Sequence, residues 1–264
     1  MRLEIGERFK NSYEVPQRYQ LMKKIPVIVR VDGRSFHTLT RKLSCEKPYD
    51  KNLSNAMMKT TIALCEEFNA VFGYCQSDEI SLLLLDDKKT NSQPIWNYEL
   101  NKIVSISAAT ASVVLSKEIN QYALFDSRAF NIPKDDIVNY FIWRQVDALR
   151  NARNGWSETT LSQKMGKKTA KKELQGLGAA KQVEKTEFET NANFIDMSNR
   201  FRMGATIVKI KNNDGRTKWV VDENTPWFID NKEYILEQIG QFYGEYSSPE
   251  RLSVFKNEGT KKEN

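Results

Sequence analysis

The sequence predicts an α+β fold whose first half follows the βαββαβ order of a ferredoxin-like, split-βαβ antiparallel sheet with helices on one face. Two observations support this prediction. Short apolar runs of strand length alternate with longer segments in which apolar residues recur at helical spacing. In addition, 40% of the 264 residues are hydrophobic, which is enough to bury a core in one large domain or two modest ones.

The first elements can be assigned from the amino terminus onward. Residues 1–24 are predicted to form a polar helical lead-in, and the β-branched run Pro26–Val31 a buried strand. A helix is predicted over 51–72, with Gly73 as its C-cap. The apolar positions at helical spacing in that segment are Leu53, Met57, Leu64, Phe68 and Val71.

A hairpin follows, with acidic residues at its bend. The apolar runs 71–76 and 80–85 are separated by Ser77, Asp78 and Glu79. In a split-βαβ sheet the first and third strands lie side by side at the centre. The end of the first strand is therefore expected to face the bend before the third.

Three more elements complete the predicted sheet domain. Residues 97–118 form a helix candidate rich in Ala and Ser, which suits close packing on a sheet. Phe125–Ile132 is predicted to be a strand, and Pro133 to open a helix that runs to about Asn154.

Beyond residue 155 the composition changes. Lys164–Lys185 contains seven lysines and only two acidic residues, so it is either a solvated connecting segment or a surface that contacts phosphates. A hairpin is predicted from 203–211 and 217–222, turning at 212–215, and a helix over 232–243. We therefore expect a domain boundary at residue 155, between the sheet domain over 1–155 and a lysine-rich second region over 156–264.

Composition excludes several classes of protein. The three cysteines have no CxxC spacing, which argues against structural zinc and a disulfide scaffold. His37 is the only histidine, which excludes paired-histidine metal sites. The net charge of +6 favours an anionic partner. No segment has the length of a membrane span or the core of a signal peptide, so we expect a soluble, cytoplasmic protein without a membrane partner.

Two aspartates interrupt apolar strands and are candidate metal ligands. Asp32 follows Val29-Arg30-Val31, and Asp78 lies in the bend after Tyr74-Cys75-Gln76. An unpaired carboxylate is costly to bury, and two on neighbouring strands suit Mg²⁺ and phosphoryl transfer. The alternative is that Asp32-Gly33 and Ser77-Asp78-Glu79 are ordinary turn residues.

Six motifs, in order and with family-like spacing, give the chain a resemblance to the tRNA(His) guanylyltransferase superfamily of 3′→5′ nucleotide-adding polymerases. They fall over roughly residues 5–155, with a looser match through Arg202-Met203-Gly204. The motifs are Arg30-Val31-Asp32-Gly33-Arg34, Phe36-His37, Lys47-Pro48, Gln76-Ser77-Asp78-Glu79, Phe125-Asp126-Ser127-Arg128 and Trp143-Arg144-Gln145-Val146-Asp147.

The resemblance implies a polymerase-type palm with two Mg²⁺ or Mn²⁺ ions held by Asp32, the carbonyl of Gly33 and Asp78. It also implies that Lys47 handles the triphosphate of ATP, GTP or another nucleoside triphosphate and acts with both aspartates in catalysis. The further residues expected to bind nucleotide or phosphate are Arg30, Arg34, Ser35, Phe36, His37, Ser77, Lys102 and Asn151. For His37, an ordinary packing or hydrogen-bonding role is the alternative.

The resemblance also implies partners, namely tRNA and other copies of the chain in a homotetramer. It implies in addition that residues 1–155 are a palm-like catalytic domain and that residues 156–264 are an RNA-binding and oligomerisation region. The lysines expected to contact RNA are Lys167, Lys168, Lys171 and Lys172. The family's tRNA(His)-dedicated branch carries a His-Ile-Asn-Asn-Leu-Tyr-Asn run after the Trp-Arg-Gln-x-Asp motif. Here Leu149 stands at the histidine position, and only Asn151 matches in register.

This departure favours the branch that extends truncated tRNA 5′ ends with the opposite strand as template. The expected activity is therefore 3′–5′ nucleotide addition, through adenylylation of the 5′ end and attack by the 3′-hydroxyl of the incoming nucleotide. Two alternatives stay open. One is a tRNA(His)-specific guanylyltransferase, and the other is a palm-like RNA-binding protein without turnover.

Overall fold

The computed structural model describes residues 2–211 and 214–243, and within them a six-stranded sheet is present in the order β4-β1-β3-β2-β5-β6. All neighbouring strands are antiparallel. This confirms the predicted α+β fold and the antiparallel sheet. The strands are β1 Val27–Arg34, β2 Phe72–Gln76, β3 Glu79–Leu84, β4 Leu124–Asn131, β5 Ala205–Lys211 and β6 Thr217–Asp222.

Helices connect and cover these strands. They are α1 Arg2–Phe9, α2 Phe36–Lys42, α3 Lys51–Glu67, α4 Leu100–Ile119, α5 Ile137–Met165, α6 Lys167–Leu174, α7 Ala179–Thr190, α8 Asn199–Met203 and α9 Lys232–Tyr243. The helical lead-in, the helix at 97–118 and the helix over 232–243 agree with the sequence prediction. Helices α2 and α8 were not predicted. No helix in the described part of the chain is both long and apolar enough to cross a membrane.

β1 and β3 lie side by side at the centre of the four-stranded unit β4-β1-β3-β2, as the βαββαβ order predicts. In their register Val31 faces Ile80 and Asp32 faces Glu79. The end of β1 therefore meets the bend between β2 and β3, which brings Asp32 next to the Asp78 segment.

Each face of the sheet has its own apolar core. One core joins β1 and β3 to α3 and α4 through Val29, Leu82, Leu64 and Ile103. The other core packs α5 and α9 against the opposite face, with Phe141 at its centre. The expectation of helices on one face thus holds for α3 and α4. α5 follows the βαββαβ unit and packs on the other face, where Ile137, Val138 and Phe141 bury against β2 and β3 together with residues of α9.

The sheet and α5 continue through the predicted boundary at residue 155. β5 pairs with β2, so the carboxy-terminal hairpin extends the same sheet. α5 runs 11 residues beyond Asn154, to Met165, because Trp156 and Leu161 are buried against later segments. Its continuation packs against α6 and α7, which occupy the lysine-rich segment. The turn at residues 212–213 and the tail from residue 256 lie outside the described residues.

Gly73 is a strand residue and not the C-cap of a helix. α3 ends at Glu67, and Gly73 lies in β2 directly beneath that helix. A Cβ at this position would lie 2.7 Å from the Cys65 Sγ and 3.2 Å from the Cβ of Ile207. Only a residue without a side chain lets α3 and β5 approach β2 this closely.

We expect Gly73→Ala to lower the free energy of unfolding by about 1–3 kcal/mol, because the added methyl group overpacks the core. The measurement is urea unfolding followed by circular dichroism. Gly6→Ala is the matched control, since a Cβ there meets nothing within 4 Å. Equal stability of Gly73→Ala and the wild type would show that β2 and α3 can separate without cost.

Candidate active site

Asp32 and Asp78 meet where β1 ends beside the β2–β3 bend. The backbone N–H of Gly33 donates to the carbonyl of Asp78 at 3.0 Å. A Cβ on Gly33 would lie 2.9 Å from the Cβ of Asp78, so a larger residue would push the two carboxylates apart. Ser77 adopts the left-handed conformation, with a φ of 51°, which turns the chain sharply before Asp78.

The carboxylates of Asp32 and Asp78 form a negatively charged pair. Among the described residues, no cation forms an ion pair with Asp78. Burial raises the pKa of Asp78, and the charge of Asp32 raises it further. Asp32 is ion-paired with Arg30 at 3.0 Å, whereas Asp78 has no such partner among the described ion pairs. Its side chain is stabilised by Ser77 and by its own backbone N–H.

This donor set fits Mg²⁺ with few protein ligands. The described residues contain no cluster of three or more His, Cys, Asp or Glu side chains able to hold a metal. Mg²⁺ characteristically binds one or two carboxylates and takes its other ligands from water and substrate phosphates. Asp32, Asp78 and the carbonyl of Gly33 are therefore the residues that would hold it.

Glu79 is not a candidate metal ligand, because its carboxylate is bound by guanidinium groups. Arg144 donates to both Glu79 oxygens, at 2.6 Å and 2.9 Å, and Arg30 lies 3.2 Å away. Burial raises the pKa of Glu79, and both arginines oppose that rise. The resulting chain of charges runs from Arg144 through Glu79 and Arg30 to Asp32, and it fixes one of the candidate metal ligands.

The Trp-Arg-Gln-x-Asp motif gains a physical explanation from this network. Trp143 covers the guanidinium of Arg144, whose carbon lies 4.3 Å from a ring centroid. Gln145 binds the carboxy-terminal segment, since it accepts from the backbone N–H of Phe228 and donates to the carbonyl of Pro226. Asp147 accepts from Arg144 and from Arg150. The motif therefore joins α5 to β3 and to residues 226–228.

A cavity of about 240 Å³ opens beside Asp78. Five of the residues predicted to bind nucleotide or metal line it, namely Phe36, His37, Lys47, Ser77 and Asp78. Phe36 is buried and packs edge-on against Phe125 at 5.2 Å, whereas His37 and Lys47 are exposed. His37 therefore borders the cavity and does not pack behind β1.

Five predicted residues lie elsewhere. Arg30 does not line the cavity, because Glu79 and Asp32 hold its guanidinium. Lys102 is paired with Glu99 at 3.4 Å. The others outside the cavity lining are Arg34, Ser35, which precedes α2 with a φ of 59°, and Asn151, which is exposed on α5.

Sequence reasoning missed one wall of the cavity, which comes from both halves of the chain. Tyr49 and Phe201 stack at 5.4 Å with nearly parallel rings, and both line the cavity. Burial raises the pKa of Tyr49 to about 12, and Asp78 contributes to the rise. Asp50 also borders the cavity, but its oxygens accept from the backbone N–H groups of Leu53 and Glu46 and so cap α3. The one sequence feature that could have indicated this wall is the position of Tyr49 directly after the Lys47-Pro48 motif.

We expect Arg144→Ala to lower the free energy of unfolding by about 3–5 kcal/mol, because it leaves the buried Glu79 with a single partner. Urea unfolding measures the effect. The control is Arg128→Ala, which breaks an exposed pair with Asp126 and should cost less than about 1 kcal/mol. Similar losses in the two variants would contradict the importance assigned to the buried pair.

The sequence is similar to those of known proteins. The family model described as tRNAHis guanylyltransferase matches residues 6–133. A probable tRNA(His) guanylyltransferase of Dictyostelium discoideum is 30% identical over 214 residues, which are 76% of this chain and 81% of the relative. An uncharacterized protein of Acanthamoeba polyphaga mimivirus is 33% identical over 178 residues.

Some relatives are considerably longer than the matched region. The match spans 60% of the mimivirus protein and 56% of this chain. For tRNA(His) guanylyltransferase 2 of Arabidopsis thaliana, which is 28% identical, it spans 37% of the relative and 73% of this chain.

Solved structures give the same result. A bacterial tRNA(His) guanylyltransferase-like protein in complex with ATP superposes with a TM-score of 0.78 at 34% identity, over 89% of this chain and 98% of that chain. A bacterial protein of the same description in complex with GTP gives a TM-score of 0.75 at 32% identity, over 89% and 99%. The Saccharomyces cerevisiae tRNA(His) guanylyltransferase, 20% identical, shares the fold with a TM-score of 0.68 over 84% and 98%. With the Asp32–Asp78 pair and the adjoining cavity in place, these matches show that the chain belongs to the tRNA(His) guanylyltransferase family, a family of nucleotidyltransferases.

Proposed function

We propose that this protein adds nucleotides in the 3′–5′ direction to the 5′ end of truncated tRNA, choosing each nucleotide by pairing with the opposite strand. The observation that carries the proposal is the Asp32–Asp78 pair beside a cavity that Asp78 and Lys47 line. The related bacterial proteins in complex with ATP and with GTP support nucleotide binding by this chain.

The proposed reaction has two balanced steps. In the first, an oxygen of the RNA 5′-monophosphate attacks the α-phosphorus of ATP, and the bond to pyrophosphate breaks. In the second, the 3′-hydroxyl of the incoming nucleotide attacks the 5′-phosphorus, and AMP leaves. Both steps require charge to be neutralised on a phosphoryl group, with little covalent help from the protein.

The residues around the cavity suit this chemistry. Lys47 is an exposed cation on the cavity wall and can bind a triphosphate. Met57, Met58 and the Tyr49–Phe201 pair form apolar surface for a base. Two Mg²⁺ ions held by Asp32, Asp78 and the Gly33 carbonyl would supply further charge neutralisation and acidify the attacking hydroxyl.

The four lysines of α6 are suited to bind the RNA backbone. Lys167, Lys168, Lys171 and Lys172 are all exposed, and the described ion pairs include none of them. By contrast, Lys164 and Lys185 are paired with Glu189 and Glu173. We propose that this face contacts tRNA phosphates and that a homotetramer allows one copy to present it to RNA bound at another copy's cavity.

The surroundings of Leu149 support a broad substrate range. Leu149 is buried in an apolar cluster with Ala152, Trp156 and Phe194. A leucine in this cluster cannot hydrogen-bond to a base or phosphate, so the family's histidine function is not available here. The names of the curated relatives favour the second candidate, a guanylyltransferase dedicated to tRNA(His).

We expect Asp78→Asn to reduce nucleotide addition by more than about 100-fold, beyond the loss typical of groups that only support a metal ligand. Mn²⁺ binding, measured by calorimetry without RNA, should weaken as well. The variant should unfold at the same temperature as the wild type or higher, because burial and Asp32 both disfavour the charged carboxylate.

Glu118→Gln, which alters an exposed carboxylate of α4, is the control for this variant and should leave addition unchanged. If Asp78→Asn keeps near-normal addition with Mg²⁺, the two-aspartate metal site is wrong.

The experiment that separates the two candidate functions is a panel of 5′-truncated tRNAs with different anticodons and different template bases. We expect extension of several tRNAs, with the added base complementary to the template, as read by sequencing the 5′ ends. Extension of tRNA(His) alone, or addition of G against every template base, would establish the narrower guanylyltransferase. No extension of any RNA would overturn both candidates.

A further inference from the structure

A second, larger groove adjoins the wall of the nucleotide cavity. Phe201 and Ala205 line the cavity, and Met203 between them lines the groove, which encloses about 1040 Å³. We call it the α5–α7 groove. It is formed by one face of α5, by residues 176–181 at the start of α7, and by Met203, Trp227 and Ile229.

The charged residues that line the α5–α7 groove are all cations. Its lining includes Arg150, Arg153 and Lys181 and, among the residues that the structure describes, no Asp or Glu. Arg150 is paired with Asp147. Arg153 is half-buried and Lys181 is exposed, and neither takes part in a described ion pair. Two cations are thus available for an anionic ligand at this surface.

The remaining lining is apolar or very small. Trp227 and Met203 are half-buried, and Ile229 is 43% exposed. A Cβ at Gly176 or Gly178 would meet no atom within 4 Å, so the groove has open space along that edge. Cations that track a phosphate backbone, next to an aromatic ring on which a base can stack, are typical of surfaces that bind unpaired nucleic acid.

A double helix fits the groove less well than a single strand does. The stacked bases of a duplex are not free to contact Trp227, Met203 or Ile229, and its outer surface presents mainly phosphates and sugars. The four lysines on the exposed face of α6 offer cations of that kind. The α5–α7 groove adds an apolar wall, which suits splayed bases.

We propose that the α5–α7 groove binds the unpaired 3′ strand of the acceptor stem when the 5′ strand is truncated. The inference rests on the proposed function, since in such an RNA the template strand has lost its partner. The segment 201–205 borders both the groove and the nucleotide cavity, so a strand held in the groove leads towards the site where the incoming nucleotide pairs.

The test compares two hairpin RNAs with the same duplex, one with an unpaired 3′ overhang and one with a blunt end. Binding is measured by fluorescence anisotropy without any nucleoside triphosphate. The variant Arg153→Ala/Lys181→Ala should bind the overhang RNA about tenfold more weakly than the wild type, and the blunt RNA almost as well. The slope of log K against log salt for the overhang RNA should decrease by about 1.4, the loss of two single-strand contacts.

Lys59→Ala/Lys117→Ala is the matched control, because it removes the same formal charge from α3 and α4 on the opposite side of the sheet. This control should bind both RNAs like the wild type. A second readout is photocross-linking from 4-thiouridine in the overhang, which should label peptides that contain Arg153 or Trp227.

Three outcomes would overturn the inference. Equal weakening for both RNAs would assign the groove to duplex backbone. Equal weakening by the control would show an effect of net charge alone. Loss of the overhang cross-link upon addition of ATP, with unchanged RNA affinity in the groove variant, would assign the groove to a free nucleotide. Because binding is measured without turnover, the inference can fail while the wild type still extends truncated tRNA.

Discussion

The buried carboxylate of Glu79 is the interaction on which the rest of the site depends. It lies at the start of β3, held by Arg144 of α5 on one side and Arg30 of β1 on the other. A buried pair of this kind contributes little net stability compared with an apolar substitute, yet removing one partner is expensive. Its value here is positional, because the same contacts set Arg30 against Asp32 and join α5 to the centre of the sheet.

The arrangement of charges gives Asp78 and Glu79 different roles, although the two carboxylates are adjacent in sequence. Asp78 lies in the bend between β2 and β3, whereas Glu79 is the first residue of β3. Glu79 is neutralised by two guanidinium groups, whereas the described residues include no ion-pair partner for Asp78, which lies next to Asp32. One carboxylate is thus committed to the protein, and the other is available to a cation that arrives with a nucleotide.

Much of the fold could be predicted from local patterns. Strand β1 follows from a β-branched run and strands β2 and β3 from short apolar runs, and the order of the elements alone placed Asp32 opposite the bend that carries Asp78. What local patterns could not show was long-range packing. The continuation of α5 beyond Asn154 depends on Phe194 and α6, and the close approach at Gly73 depends on α3 and β5. Local patterns also could not show that Arg30 lies 3.2 Å from Glu79, because Glu79 belongs to another strand.

The cavity is lined by residues from both predicted regions of the chain, 1–155 and 156–264, so the two regions are not structurally separate. Tyr49 belongs to the segment before α3 and Phe201 to α8, yet the two rings stack and close one side of the nucleotide cavity. The position of α8 is set in turn by Arg200, which is bound to Asn55 of α3, and by the carbonyl of Met203, which accepts from Tyr74 of β2.

A nucleotide that contacts the Tyr49–Phe201 pair therefore contacts a wall whose other side borders the α5–α7 groove. Occupation of the cavity and occupation of the groove act on the same short segment, residues 201–205. On the proposed function, this shared segment would be a direct physical route by which an RNA strand in the groove influences how the incoming nucleotide is seated.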